Sequence, residues 1–468
     1  MPDSPATPAP VVVIGGGISG LACAFRLQQH GIPALLFEKS DRVGGVISAE
    51  QKDGFLFEFG PQGVLLTAPV AELVEAAGMT GEMIRANPHA TRFILHRGKL
   101  VPAPMSPLAL LRSPLLDART KWRLATEPLR RTHPPEGDES VAAFVRRKFG
   151  TSLLENIVAP FVSGVYAGDP ELLSLRAAFP QVHEWECENG SVLRGAIRQM
   201  RKKSGDGSGR PGLMSFRGGV TSLLEALAAR LGDKIQYAAS IISLSRNDPP
   251  VGAAFTLQVE RGGATETLLA SAAVIATEPD AAALLAVPIA PQAAAALQAI
   301  HMAPVTMVTA GYRREDVANS LEGFGFLVPR KEGLRTLGTI WNSSLFPGRA
   351  PAGHVSMTSF VGGATDPEIA TWPDDKVAAT VHAEMARVSQ IRGTPVLQRL
   401  RRYDRALPQY NLGHSGRIAA IEQACRAIPG LFIAGNYLDG PSFGACIERA
   451  FAVAGRIEKA ASGAPTRT

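Results

Sequence analysis

The sequence predicts a mixed α/β chain, with α+β character in its looped-out parts, organised around one parallel sheet assembled from separated segments. Three observations predict this. Residues 11–38 read as strand, glycine turn, helix and strand. Residues 272–279 and 430–457 have the same unbroken apolar character, the second ending in an amphipathic helix, as expected of parallel strands covered on both faces. The intervening chain is long enough to build two further parts, about 92–210 and 285–400.

Bulk properties agree with that organisation. A chain of 468 residues exceeds what one core usually organises, so two or three domains are expected. With 46% hydrophobic and 19% charged residues the chain is of the folded, globular kind. The net charge of +6 and pI near 9.2 would tolerate an anionic partner, but the basic residues are scattered without interleaved aromatics, which argues against nucleic acid. Cys23, Cys187, Cys425 and Cys446 form no C-x-x-C pair and read as reduced, mostly buried thiols with no metal site. The leader MPDSPATPAP lacks a basic and an apolar signal region, so a cytoplasmic protein with a disordered leader is expected. No uncharged apolar run approaches the ~18 residues of a spanning helix, so any membrane contact would be peripheral.

Taken in chain order, VVVIGGG is the first strand and turn, SGLACAFRLQQHG the helix, and ALLFEKS the second strand. The first excursion is mainly helical in pattern with proline breaks, and ends in QMRKKSGDGSGRPG (199–212), which reads as a mobile loop. The second is β-rich, with the runs APVTMVTAGYRR, GFGFLVPR and HVSMTSFVGG. The expected division is therefore 8–91 with 211–284 and 401–462, then 92–210, then 285–400.

Gly15-x-Gly17-x-x-Gly20 lies between strand and helix, with Glu38 eighteen residues beyond Gly20. That is the context of a dinucleotide-binding Rossmann-type unit: Gly15 for the tight turn, Gly17 for close approach to a pyrophosphate, Gly20 for helix packing, and Glu38 for a ribose. A ligand-free glycine turn is the competing reading. NAD and FAD share this fingerprint; EKSDRVGG (38–45), with Arg42 and a glycine pair, resembles the second phosphate-facing loop of flavin oxidases of monoamine oxidase-like topology and favours noncovalent FAD. A solvated loop charge is the alternative for Arg42.

Longer strings extend the resemblance over nearly the whole chain. FEFGPQG (57–63), FVSGVYAGDPELLSLRAAFP (161–180), GFGFLVP (323–329), LPQYNLGH (407–414) and GNYLDGPSFGACIE (435–448) resemble the oxygen-dependent, FAD-containing protoporphyrinogen oxidase family. The resemblance implies an FAD-binding domain, a β-rich substrate domain and a helical membrane-docking domain. It implies FAD contacts at Gly15, Gly16, Gly17, Ile18, Ser19, Gly20, Glu38, Lys39, Arg42 and Val46, through the backbone of Ile241, and at Pro441, Ser442 and Phe443. Gly60, Pro61, Gln62 and Gly63 would run beside the isoalloxazine ring; the family often has Arg where this chain has Gln62.

For the substrate, the resemblance implies that Arg92 pairs with a propionate, that Phe324 and Leu327 sandwich a pyrrole, that Leu337, Ile340 and Phe360 line the wall, and that the main chain at Gly164 approaches the tetrapyrrole. By pattern alone Arg92 reads as an exposed strand charge, and the five apolar residues as ordinary core. His414 and Cys446 lie in the quoted strings but read as structural. No residue is an obvious general base, as suits chemistry in which the cofactor takes the hydride.

The implied reaction is six-electron aromatisation of a porphyrinogen in three flavin cycles, each passing electrons to molecular oxygen. Hydride would leave a meso carbon, with imine tautomerisation redistributing hydrogens between rounds. The apolar walls and the string GPSFGACIE point to protoporphyrinogen IX over coproporphyrinogen III, whose two extra carboxylates would need partners. A flavin amine oxidase and a noncatalytic flavin-binding paralogue are the alternatives from other classes. Residues 108–131 combine leucines, Trp122 and six basic side chains, and read either as an interfacial helix on an anionic cytoplasmic membrane face or as a helix packed on its own protein. A homodimer is compatible with the sequence.

Overall fold

The computed structural model describes residues 9–204, 212–248 and 253–462. Its central sheet has five parallel strands in the order Ile235–Gln236, Ala34–Phe37, Val11–Ile14, Ala272–Ile275, Leu431–Ile433. Strand Val11–Ile14 is buried throughout because alternate residues serve two different cores. Val11 and Val13 pack under helices Ile18–Gln29 and Phe443–Ala461, with Leu21, Phe25, Ile447 and Val453. Val12 and Ile14 pack on the other face with Ile275, Ala282 and Ile421. This is why the strand shows no polar alternation.

A second sheet has seven strands, in the order Leu397–Pro408, Met302–Arg313, His354–Gly362, Thr336–Ile340, Gly325–Leu327, Arg92–His96, Lys99–Pro102. Helix Asp374–Val388 covers its far face, where Val377, Val381 and Met385 meet Val308, Tyr312, Met357 and Val361. The near face carries Val305, Met307, Leu337 and Phe360. Leu337 reaches that face because the pairing register breaks between Thr336 and Gly338, which re-aims one side chain of an otherwise alternating strand.

Several expectations are corrected. Residues 92–102, assigned above to the helical excursion, are two strands of the seven-stranded sheet; Phe326 pairs in parallel with Phe93, and that long-range partner leaves no signal in local periodicity. Residues 401–408 likewise complete the strand paired with Met302–Arg313. Segment 108–131 is two short helices, Pro107–Arg112 and Ala118–Thr126, followed by the 3-10 turn Glu127–Leu129. Pro114 disfavours helix at Ser113, the Ser113 hydroxyl accepts from Leu115 N at 3.2 Å, and Asp117 starts the next helix by accepting from Thr120 N at 2.7 Å. In the stretch read as a mobile loop, residues 199–204 continue helix Val192–Ser204, and 205–211 lie outside the described residues.

The helical region has its own core, with Phe144, Leu154, Val162 and Leu173. Beside it is a buried ionic cluster. Lys148 Nζ lies 3.0 Å from Glu127 and 3.3 Å from Glu186, and Arg147 binds both Glu139 and Glu186. Glu127 also receives Val192 N at 2.8 Å, so one carboxylate holds a lysine and the start of the last helix.

Candidate active site

The glycine turn after Val11–Ile14 is shaped by close approach. Gly15 has φ +107, and a Cβ there would lie 2.7 Å from Ala276 O; one on Gly20 would lie 1.9 Å from Gly15 O. A Cβ on Gly17 would meet nothing within 4 Å. The first helical bond runs from Leu21 N to Gly17 O at 2.9 Å, which directs the preceding first-turn amides of Ile18, Ser19 and Gly20 toward that open space.

Glu38 follows the second strand directly and is buried. Its Oε2 accepts from Gly16 N at 2.7 Å and its Oε1 from Ser40 N at 2.8 Å. Each oxygen keeps a lone pair for a hydroxyl, so the carboxylate both shapes the turn and suits a ribose. Arg42 mainly holds its own loop: its guanidinium donates to the carbonyls of Val43 (3.0 Å), Ile47 (3.2 Å) and Gly45 (2.9 Å). Gly44 N donates to Gly16 O at 2.8 Å, bringing the two glycine loops together. Lys39 is exposed at their edge.

Ile241 turns its side chain into the core, while Ala239 N donates to Glu38 O at 3.0 Å, so its strand starts beside Glu38. At the other end Ser442 caps helix Phe443–Ala461, accepting from Ala445 N at 3.1 Å, and Pro441 precedes it. The two helix N-termini belong to helices that pack on each other, Ile18–Gln29 and Phe443–Ala461. Open space at a glycine turn, a ribose-type acceptor and positive helix ends together fit a dinucleotide such as FAD.

The 60–63 turn joins this region to the second sheet. Gly60 packs on Val46 and Ile47, and Gly63 on Phe346. Tyr403, which sequence reasoning missed, lies with its hydroxyl 3.0 Å from both Val46 O and Phe59 O. Burial raises its pKa, partly offset by Arg401, a Ser48 hydrogen bond and Arg42, so it stays a neutral donor. Glu58, leading into the turn, is anchored by Val220 N at 2.6 Å and by Arg349 at 3.0 Å in a pair from which water is excluded. Burial pushes the Glu58 carboxyl up, against the opposing pull of Arg349 and of the Val220 amide.

The expected substrate residues lie across adjacent strands and one helix. Arg92 sits opposite Gly325 in register, with its guanidinium 4.8 Å from the centroid of the Phe324 ring. Helix Ala159–Tyr166 crosses this edge, and a Cβ on Gly164 would lie 2.3 Å from Leu327 Cδ2, so glycine there permits the contact. Leu327 pairs with Gly338, and Gly338 with Phe360; Ile340 pairs with Thr358. Leu337 and Phe360 share one apolar cluster, Phe324 and Ile340 pack on a neighbouring one with Phe346. His414 is stacked on Tyr410, with centroids 4.2 Å apart; burial and then Arg417 push it down to about 4, leaving a neutral packing ring. Cys446 is buried on the helix that follows Ser442, and burial raises its thiol to about 11.

A Rossmann-like turn joined to an apolar wall on a second sheet is the layout of a flavin-dependent oxidoreductase. The chain belongs to the family of flavin containing amine oxidoreductases, whose model matches residues 18–457. It is an FAD-dependent oxidoreductase. It is 34% identical to chloroplastic protoporphyrinogen oxidase of Oryza sativa subsp. japonica, over 97% of this chain and 90% of that protein. It is 29% identical to coproporphyrinogen III oxidase of Bacillus subtilis (strain 168), over 94% and 96%. A crystal structure from Exiguobacterium sp. 255-15 superposes with TM-score 0.80 at 24% identity, covering 97% of this chain and 99% of that one.

Proposed function

We propose that this enzyme oxidises protoporphyrinogen IX to protoporphyrin IX with molecular oxygen as the final acceptor. The observation that carries this reading is the wall beside the 60–63 turn: the Arg92 guanidinium stands at the edge of an apolar surface made by Phe324, Leu327, Leu337, Ile340 and Phe360. Arg92 can grip a propionate bidentately while its stem and the Phe324 ring stay in contact. The apolar strands would then hold the macrocycle, and Gly164 would let the helix backbone approach it. Vinyl groups suit such a wall better than the extra carboxylates of coproporphyrinogen, which would lose water without gaining a partner. Names of relatives at 33–34% identity support the same substrate.

Gly15 to Gly20 would hold the diphosphate and Glu38 the ribose, with the 60–63 turn and the Pro441–Phe443 segment at the ring. Bound FAD would supply the two-electron acceptor. The chain's own part is to bind, orient and exclude water, since no side chain at the wall is a poised base. The deciding assay follows fluorescent porphyrin formed aerobically from protoporphyrinogen IX and, side by side, from coproporphyrinogen III. A higher kcat/KM for coproporphyrinogen, or no porphyrin from either, would overturn the reading.

We further infer that the helical region docks on the cytoplasmic face of an anionic membrane. Among the described residues no helix is long and apolar enough to cross one. Met105, Leu108, Trp122 and Leu129 are exposed, Trp122 at 61% and Leu129 at 78%, close in sequence to Arg119, Lys121 and Arg123. Arg130 lies 4.6 Å from the Trp122 ring centroid. Exposed apolar side chains ringed by cations are what an interfacial contact needs.

A further inference from the structure

The flavin-side turn 60–63 and the wall strands Thr336–Ile340 and His354–Gly362 are distant in sequence, and one side chain joins them. Gln62 is 5% exposed. Its Nε2 donates to Glu58 O at 2.8 Å and to Gly60 O at 3.1 Å, which uses both amide hydrogens inside its own turn. Its Oε1 accepts from Asn342 Nδ2 and lies 3.4 Å from Thr358 Oγ1. Thr358 Oγ1 is 3.0 Å from Asn342 Oδ1 and 3.0 Å from Thr309 Oγ1. The amide is thus fully engaged, with no polar atom left to face a ligand.

The partners belong to the wall itself. Thr358 stands opposite Ile340 in the ladder, and Phe360 follows it two residues on, on the same face of the sheet. Asn342 begins the short helix that follows Ile340 and leads to Phe346, the ring against Gly63.

We propose that Gln62 is a positioning residue that, through Asn342 and Thr358, sets the spacing between the 60–63 turn and the Ile340–Phe360 wall, and so the presentation of the substrate's reacting carbon. This rests on the function proposed above. Only a neutral amide satisfies these neighbours, because it must donate twice to carbonyls and accept on its other side. A carboxylate at 62 would face two carbonyl oxygens, and an aliphatic side chain would leave those carbonyls and the Asn342 amide unpaired. Misplacement of a reacting group by about 1 Å costs about 100-fold in rate.

The test uses Gln62→Leu, Asn342→Leu and their double variant, with Thr358→Val removing the wall hydroxyl beside both amides while leaving the turn's own bonds intact. Anaerobic flavin reduction by protoporphyrinogen is followed in a stopped flow, with FAD content, KM and reoxidation of dithionite-reduced enzyme by oxygen in parallel. The expected result is a roughly 10- to 100-fold slower reduction in each single Leu variant, with KM, FAD content and reoxidation near wild type. The double variant should be no slower than the worse single one. Wild-type reduction rates in the FAD-replete variants, or losses that multiply, would overturn the proposal. If Gln62→Leu does not retain FAD, Asn342→Leu and Thr358→Val decide the matter, since both lie off the cofactor turn. If wild-type enzyme is not reduced by porphyrinogen, the functional reading fails and the visible circular dichroism of bound FAD decides this one: Thr358→Val should change it, and an unchanged spectrum would overturn the link.

Discussion

Two glycines three residues apart, Gly17 and Gly20, give opposite predictions. An alanine Cβ at residue 20 would lie 1.9 Å from Gly15 O, where ordinary Cβ contacts stop at 3.0 Å, so the carbonyl must retreat by about 1.1 Å (3.0 − 1.9). It cannot do so freely, because Gly15 is itself packed on Ala276. Overpacking of this kind costs about 1–3 kcal/mol. Gly20→Ala should therefore destabilise the apoprotein by that amount, because the clash is present before FAD binds, and should lower FAD affinity only by whatever further strain binding adds. Gly17 differs: it has φ −72 and ψ 178, open to any residue, and nothing within 4 Å. Gly17→Ala should cost the apoprotein only about 0.5–1 kcal/mol, the difference between Gly and Ala as an N-cap, with no steric strain added. Its methyl group would nevertheless occupy the space assigned to the diphosphate, so FAD affinity should fall. Titration of FAD fluorescence, with urea melts of both apoproteins, separates strain from exclusion. Wild-type FAD affinity in Gly17→Ala, or an unchanged apoprotein melt in Gly20→Ala, would refute the reasoning.

Arg92→Ala should lower kcat/KM for protoporphyrinogen by about 10- to 150-fold, the equivalent of 1.5–3 kcal/mol for a charge-assisted pair, with FAD content unchanged; unchanged kinetics would remove Arg92 from the site. Glu186 is fully buried, and although burial alone raises its carboxyl, hydrogen bonds from Arg147 and Thr132 and the charges of Lys148 and Arg147 bring it down to about 2. A folded value below the ordinary 4.5 means stability present above pH 4.5 and lost as pH falls toward 2, on the order of 3 kcal/mol. Glu186→Gln should lower stability at pH 7 and flatten urea-melt stability across that acid window; a parallel pH profile would refute the assignment. Sedimentation with anionic liposomes should retain the protein at low salt and release part of it at high salt, and Trp122→Ala should weaken retention; no binding under either condition would make the helical region a soluble one.

The glycine turn was legible in the sequence because its determinants are local. Gly15, Gly17, Gly20 and Glu38 fall within one strand–helix–strand unit, where spacing alone dictates geometry. Two of the three remote strands of the same sheet, Ala272–Ile275 and Leu431–Ile433, were also legible, since strands covered on both faces stay apolar wherever they fall in the chain; the two-residue strand Ile235–Gln236 is too short to carry such a signal. That the local hairpin 92–102 belongs to the seven-stranded sheet was not legible, because this rests on a parallel partner more than two hundred residues away. Segment 108–131 has the leucine and arginine composition of one helix, but Pro114 divides it in two.

What the sequence by itself determined is the part written in short-range pattern: a dinucleotide-binding unit, an apolar β-rich partner, and the order of the segments that compose them. What only the tertiary structure decided is which polar side chains meet. Arg42 spends its guanidinium on its own loop, Tyr403 bridges Val46 and Phe59, and Gln62 finds Asn342. A buried polar group takes its meaning from the partner that satisfies it, and here those partners are brought together by sheet register and chain crossings that no local stretch of sequence encodes.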